Sequence, residues 1–211
     1  MTVYHVAQVR QVLAACQTPS EDLAVRILVG SGLRMSELCG LALRAPDGLS
    51  DLMIDSLDRG HAELRIRADA GAKGHRARPV PITPKLAAAI KRYSARQRPE
   101  VDFPQLLIHS RGGPYETGGI NSMMNRLQDR VGFRVHAHAF RHTFATAATR
   151  FGWNLERLRS AMGHADYSVL QRYVWLSMQR DLGSADAWSE YLVLPQPSFE
   201  DRRWQAAARF R

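Results

Sequence analysis

Between His136 and Thr146 the chain reads HAHAFRHTFAT, with three histidines and one arginine inside seven residues. On a helix His138 and His142 sit one turn apart. Two chemistries compete for such a stretch. Histidines four apart can hold zinc, but the hydrolytic form of that pattern has a glutamate between them. Here Ala139, Phe140 and Arg141 intervene, and a cation beside the pair opposes metal binding. The second chemistry uses the arginine. A guanidinium grips two phosphate oxygens in a fork, and histidine is the common general acid or base. His138 and Arg141 are three apart, so both can face one phosphate.

His164 follows Gly163 at an expected helix end, and Tyr173 lies nine residues further on. By itself Tyr173 fits a core tyrosine. Grouped with the histidines and the arginine, it supplies what a nucleophile on a phosphodiester requires. The bulk charge points the same way. Lys and Arg number 29 against 20 Asp and Glu, a formal net charge of +9. Such an excess favours a polyanionic partner, nucleic acid before membrane. No apolar run approaches the roughly 20 residues of a membrane span, and the N-terminus lacks a signal-peptide pattern, so the expected setting is cytoplasmic. Cys16 and Cys39 lie in apolar helical patterns and are expected as buried free thiols.

The elements that must position these groups can be read from periodicity and punctuation. Apolar spacing predicts a helix over Val3–Cys16, then a second from Pro19 and Ser20 to a stop at Gly30 and Gly32. A short helix begins at RMSEL with Arg34 in its first turn. LSDLMIDSLDRGHAELRIRA predicts two strands with Gly60 in the turn. AGAKGHRARPVPI predicts a turn around Lys73 and a third strand ending at Ile82. The chain then returns to helices: one from Thr83 and Pro84, one ended by Gly132, one through HAFRHTFATAATR, one from Asn154 to Gly163, and one from about Ser168. The expected class is α+β, mainly α-helical, with a small three-stranded antiparallel sheet.

Four stretches in this order, GSGLRMSELCGL, AKGHRARPVPI, HAFRHTFAT and AMGHADYSVLQRYV, resemble the tyrosine recombinase (phage integrase) family. The resemblance covers about Pro19 to Trp175. It implies that family's catalytic-domain fold and six catalytic residues: Arg34, Lys73 on the hairpin turn, His138, Arg141, His164 and the nucleophile Tyr173. Glu37 matches a glutamate that supports the first arginine, and His142 a residue of supporting or packing role. The implied chemistry is site-specific DNA strand cleavage and rejoining through a 3′-phosphotyrosine. The two arginines neutralise the phosphate, Lys73 protonates the leaving 5′-oxygen, His138 acts as base and His164 hydrogen-bonds the phosphate. No metal and no cofactor is implied. The implied partner is double-stranded DNA, with a homotetramer on paired duplexes and a monomeric isolated domain.

The expected domain layout is a catalytic domain over 1–190 and a tail over 191–211, without the N-terminal core-binding domain that relatives carry. SADAWSEYLVL has the pattern of a helix that either docks on a neighbouring protomer or packs back on its own domain. Alternatives to a recombinase are a type IB topoisomerase-like relaxation activity and a non-catalytic DNA-binding module.

Overall fold

A computed structural model of the chain describes residues 1–54, 62–70, 77–163 and 167–194. The helix α1 spans Val6–Ala14 and α2 Pro19–Ser31, followed by the short α3, Met35–Gly40. Three strands come next: β1 Leu52–Ile54, β2 Ala62–Ile66 and β3 Arg78–Ile82. The remaining helices are α4 Pro84–Arg96, α5 Thr117–Val131, α6 Ala137–Arg150, α7 Leu155–Met162, α8 Ser168–Gln179 and α9 Ala185–Trp188. The mainly helical α+β architecture is the one the patterning predicts. The turn around Gly60, and with it Lys73 and His164, lie outside the described residues.

Helix α2 shows how local chemistry sets its ends. The Thr18 side chain accepts from the Glu21 N–H at 3.1 Å, and Pro19 occupies the first turn, where no N–H is needed. At the other end Gly32 takes the left-handed conformation, φ 63°, and its N–H bonds back to the Leu28 carbonyl. Gly30 does not stop the helix. It lies inside α2 because Leu86 Cδ2 and the Tyr191 carbonyl oxygen come within 2.9 Å of where its Cβ would be. Helix α1 is shorter than Val3–Cys16, because Val3 to His5 run on before it and the Tyr4 N–H donates to Thr143 Oγ1 at 2.9 Å. Its cap is the His5 ring, which accepts from the Ala7 N–H.

Helix α6 runs through the centre, packed against α2 on one side and α8 on another. Ala139, Phe140, Phe144, Ala145, Ala147 and Ala148 are fully buried. Gly32 meets this helix directly: a Cβ there would lie 2.3 Å from Phe144 Cδ1. Gly32→Ala therefore combines left-handed backbone strain with overpacking, and is expected to cost about 2–4 kcal/mol. Chemical denaturation would measure it; an unchanged midpoint would contradict the packing described.

The sheet order is β1-β2-β3, antiparallel throughout. On β2 the residues Ala62, Leu64 and Ile66 face the core, paired with Ile82, Val80 and Arg78 of β3. The period-2 pattern thus places a charged residue, Arg78, on the apolar face. Pro79 and Pro81 alternate with these positions, and β3 is an edge strand, where a missing N–H is tolerated.

The chain after α8 returns to its own core. Trp188, Tyr191 and Leu192 are buried; Trp188 Nε1 donates to the Leu182 carbonyl and Trp153 Nε1 to the Val193 carbonyl, both at 2.7 Å. Of the two possibilities for SADAWSEYLVL, the structure takes packing on its own domain. Cys16 and Cys39 are free thiols, half-buried, with burial pushing them up to about 12 and about 11. Among the described residues no helix is long and apolar enough to cross a membrane.

Candidate active site

Arg34 is the N-cap residue of α3, with extended backbone. Its own N–H donates to Glu37 Oε2 at 2.8 Å, and its guanidinium to Glu37 Oε1 at 2.9 Å. Glu37 stands three residues into the helix, the capping-box position, so the GLRMSEL stretch binds its own arginine by local geometry. The carboxylate is buried and also receives both terminal nitrogens of Arg78, each at 2.9 Å. Burial alone would raise the Glu37 carboxyl. The hydrogen bonds from Arg78 and Arg34 overcome this and hold it below the ordinary range.

Arg141 is 2% exposed, on the face of α6 toward α2 and α7. It donates to the Gly32 carbonyl at 2.6 Å and to the Met162 carbonyl at 2.7 Å. Both carbonyls belong to helix C-termini, which carry unsatisfied acceptors and partial negative charge. That is why a buried cation is tolerated here. Burial, and then the charge of Arg34, push its pKa down to about 9, so it stays protonated at neutral pH.

The C-terminus of α7 organises the pocket. Its last carbonyls go to three different arginines: Ala161 to Arg78 at 2.8 Å, Met162 to Arg141, and Gly163 to Arg34 at 3.3 Å. Gly163 is left-handed, φ 61°, and ends the helix at the residue before His164. Arg34 and Arg78 thus share one carboxylate, and Arg141, held by carbonyls, lies close enough to feel the charge of both Glu37 and Arg34, an excess of positive charge in a largely buried space.

Tyr173 reaches the pocket from α8. Its ring is 2% exposed, and its hydroxyl lies 3.0 Å from His142 Nδ1. Burial raises the phenol pKa, while Arg141, Arg172 and Arg34 pull it down. The residue beside the hydroxyl is therefore His142, expected only to support or pack, and not His138. The reason is geometric: His138 lies one turn earlier on α6, with its ring edge-on to that of His142 at 4.2 Å between centroids. Burial, followed by Arg141 and Arg34, lowers the pKa of His138. His136 is the N-cap of α6, its Nδ1 accepting from the Ala139 N–H at 3.1 Å. The three histidines consequently have three different environments and do not converge as a ligand set.

His142 is pushed down to about 4 by burial, then by His138 and Arg141. An unfolded histidine titrates near 6.5. Between these values the unfolded chain binds more protons, so stability is full above about pH 6.5 and falls as pH drops toward 4. The His142 contribution to that slope is at most about 1.4 kcal/mol per pH unit. Urea midpoints from pH 7 to 4.5 are expected to fall less steeply in His142→Ala; parallel curves would contradict a buried neutral ring.

The arrangement brings Arg34, Glu37, His138, Arg141, His142 and Tyr173 to one place. Lys73 and His164 are outside the described residues, although β3 follows Lys73 and α7 ends just before His164. Arg78 was missed by sequence reasoning. The signal for it was a charge at an inward position of an alternating strand, with Val80 and Ile82.

Comparison with known proteins places the chain in a defined group. The sequence profile described as "Phage integrase family" matches residues 3–180. The tyrosine recombinase XerC of Nitrobacter winogradskyi is 32% identical over 168 residues, which is 76% of this chain and 47% of the relative. The crystal structure of XerA recombinase superposes with a TM-score of 0.67 at 23% identity, covering 90% of this chain and 63% of that one. XerH site-specific recombinase, solved bound to its difH substrate before cleavage, gives a TM-score of 0.64 at 20% identity over 82% of this chain and 50% of that one. The chain spans about half the length of the curated relative it matches.

Proposed function

The chain belongs to the phage integrase family, and from that premise we propose that it cleaves and rejoins DNA strands at specific sites through a 3′-phosphotyrosine. The observation that carries this reading is the buried pocket in which Arg34, sharing Glu37 with Arg78, and Arg141, held by two helix-end carbonyls, lie near Tyr173, whose hydroxyl bonds His142. Three cations against one carboxylate leave an excess of positive charge that a phosphodiester partly neutralises, and its pentacoordinate transition state, carrying more negative charge, neutralises further.

The Tyr173 oxygen attacks phosphorus, the bond to the 5′-oxygen breaks, and the 3′-phosphate stays on the tyrosine. Arg34 and Arg141 hold the non-bridging oxygens. Lys73 protonates the departing 5′-oxygen, and His164 donates a hydrogen bond to the phosphate. The phenol proton must leave as the bond forms. The hydroxyl bonds His142 Nδ1, which orients it, and His138, whose ring meets that of His142 edge-on at 4.2 Å, is the proposed base, taking the proton by way of His142. Glu37 holds Arg34. One ester is exchanged for another, so the step requires no metal and no energy-carrying cofactor.

The partner proposed is double-stranded DNA in the cytoplasm, in keeping with the net charge of +9. Exchange between two duplexes cuts four strands, so four copies act together on DNA, while the free chain is a monomer. The catalytic unit proposed is residues 1–190, and the tail is 191–211, of which Tyr191 and Leu192 pack against the core.

Rejoining is tested with a duplex nicked beside the scissile phosphate and a second strand ending in a 5′-hydroxyl. The proposal expects a joined strand. Release of free 3′-phosphate ends with no joined product would point to a hydrolase instead.

A further inference from the structure

We infer that Arg78, on β3, is a positioning residue for the reaction: it acts through Glu37 to hold the Arg34 guanidinium toward the phosphate. This rests on the assignment of Arg34 as a phosphate ligand. Arg78 is 8% exposed and sits at an inward position of an otherwise apolar strand face. Its fork takes both Glu37 oxygens at 2.9 Å, and its Nε donates to the Ala161 carbonyl at 2.8 Å. A guanidinium fits this planar two-oxygen grip, and an ammonium does not.

The consequence falls on Arg34. All of the Glu37 acceptor capacity is occupied: Oε1 receives Arg34 and Arg78, and Oε2 receives the Arg34 backbone N–H and Arg78. Arg34 therefore has one shared carboxylate oxygen and keeps most of its charge for an incoming anion. Without Arg78, Glu37 is free to rotate and form a closed two-bond pair with Arg34, turning it away from substrate. Arg78 also fixes where α7 ends relative to β3. A Cβ on Gly163 would come within 2.9–3.1 Å of its guanidinium, so backbone and cation are in contact at the residue before His164. One side chain thus ties β3, α3 and the α7 terminus together.

A purely structural salt bridge would slow cleavage of every substrate alike. A residue acting through Arg34 would slow it only where the phosphate is charged. The test compares single-turnover cleavage of duplexes bearing either an ordinary scissile phosphodiester or a neutral methylphosphonate at the same position. The variants are Arg78→Met, Arg78→Lys and, as reference, Arg34→Ala, each checked by thermal melting and DNA binding. Arg78→Met is expected to lose about 10²-fold on the diester and to recover most of that loss on the methylphosphonate, following Arg34→Ala. Arg78→Lys, which keeps the charge without the fork, is expected between Met and the parent and remains informative if the Met variant does not fold. Equal losses on both substrates, with Arg34→Ala relieved by the methylphosphonate, would overturn the role of Arg78. Failure of Arg34→Ala itself to be relieved would overturn the phosphate assignment of Arg34, and the role of Arg78 with it.

Discussion

Tyr173→Phe is expected to abolish covalent attachment to DNA while leaving noncovalent binding within a few-fold of the parent. The ring is buried on α8 and packs the same way in both residues. What disappears is one oxygen and its contact with His142, a stability loss of about 1 kcal/mol. The chemistry has no substitute. Tyr167, six residues earlier, is exposed and its hydroxyl is bound to Glu156, which raises its pKa. Gel-shift and covalent-trapping assays on the same preparation separate the two effects. An adduct that persists in the Phe variant would place the nucleophile elsewhere, with Tyr167 the first residue to examine.

Arg141 carries the second large effect. Arg141→Ala is expected to lower single-turnover cleavage by about 10²–10³-fold, the size associated with losing one donor to a developing oxyanion. It also strips a donor from the Gly32 and Met162 carbonyls. A drop in stability of about 1–3 kcal/mol is therefore expected as well, and the rate must be read at a temperature where the variant is folded. Arg141→Lys should rescue little. Two helix termini and a phosphate approach from different directions, and a single ammonium cannot span them as a planar fork does. Full activity in the Lys variant would mean that the site needs charge alone.

The two predictions draw on parts of the molecule that differed in how far the sequence revealed them. The helix boundaries around the pocket were legible because they are set by local chemistry: Thr18 and Pro19 open α2, Asn154 opens α7, and Gly32, Gly132 and Gly163 close their helices in left-handed conformations. The alternation that builds β2 and β3 was legible for the same reason. Histidine caps were not. His5 and His136 each lend Nδ1 to a helix start, a task usually given to Ser, Thr, Asp or Asn. The role of Gly30 was misread because its need is tertiary, the close approach of Leu86 and Tyr191.

Arg34, Glu37, His138, Arg141, His142 and Tyr173, which lie together in the pocket, could be named from three of the ordered stretches, but their pairing could not. Whether His138 or His142 meets Tyr173 depends on how α8 crosses α6, a contact between residues 31 apart. The sharing of α7 carbonyls among Arg34, Arg78 and Arg141 joins four separate elements. The alternation of Arg78 with Val80 and Ile82 hints at an inward charge, but no local pattern names the α7 carbonyl it binds. Arg78 carried no expectation from the sequence, and the strand register is what turns it inward.

The most direct measurement is covalent capture from a randomised library of nicked duplexes, followed by digestion and mass mapping of the adduct. The expected product is a peptide carrying Tyr173 joined through its phenolic oxygen to a DNA 3′-phosphate, with a free 5′-hydroxyl on the released strand. Linkage at another residue, linkage to a 5′-phosphate, or no covalent species from folded protein that binds DNA would contradict it.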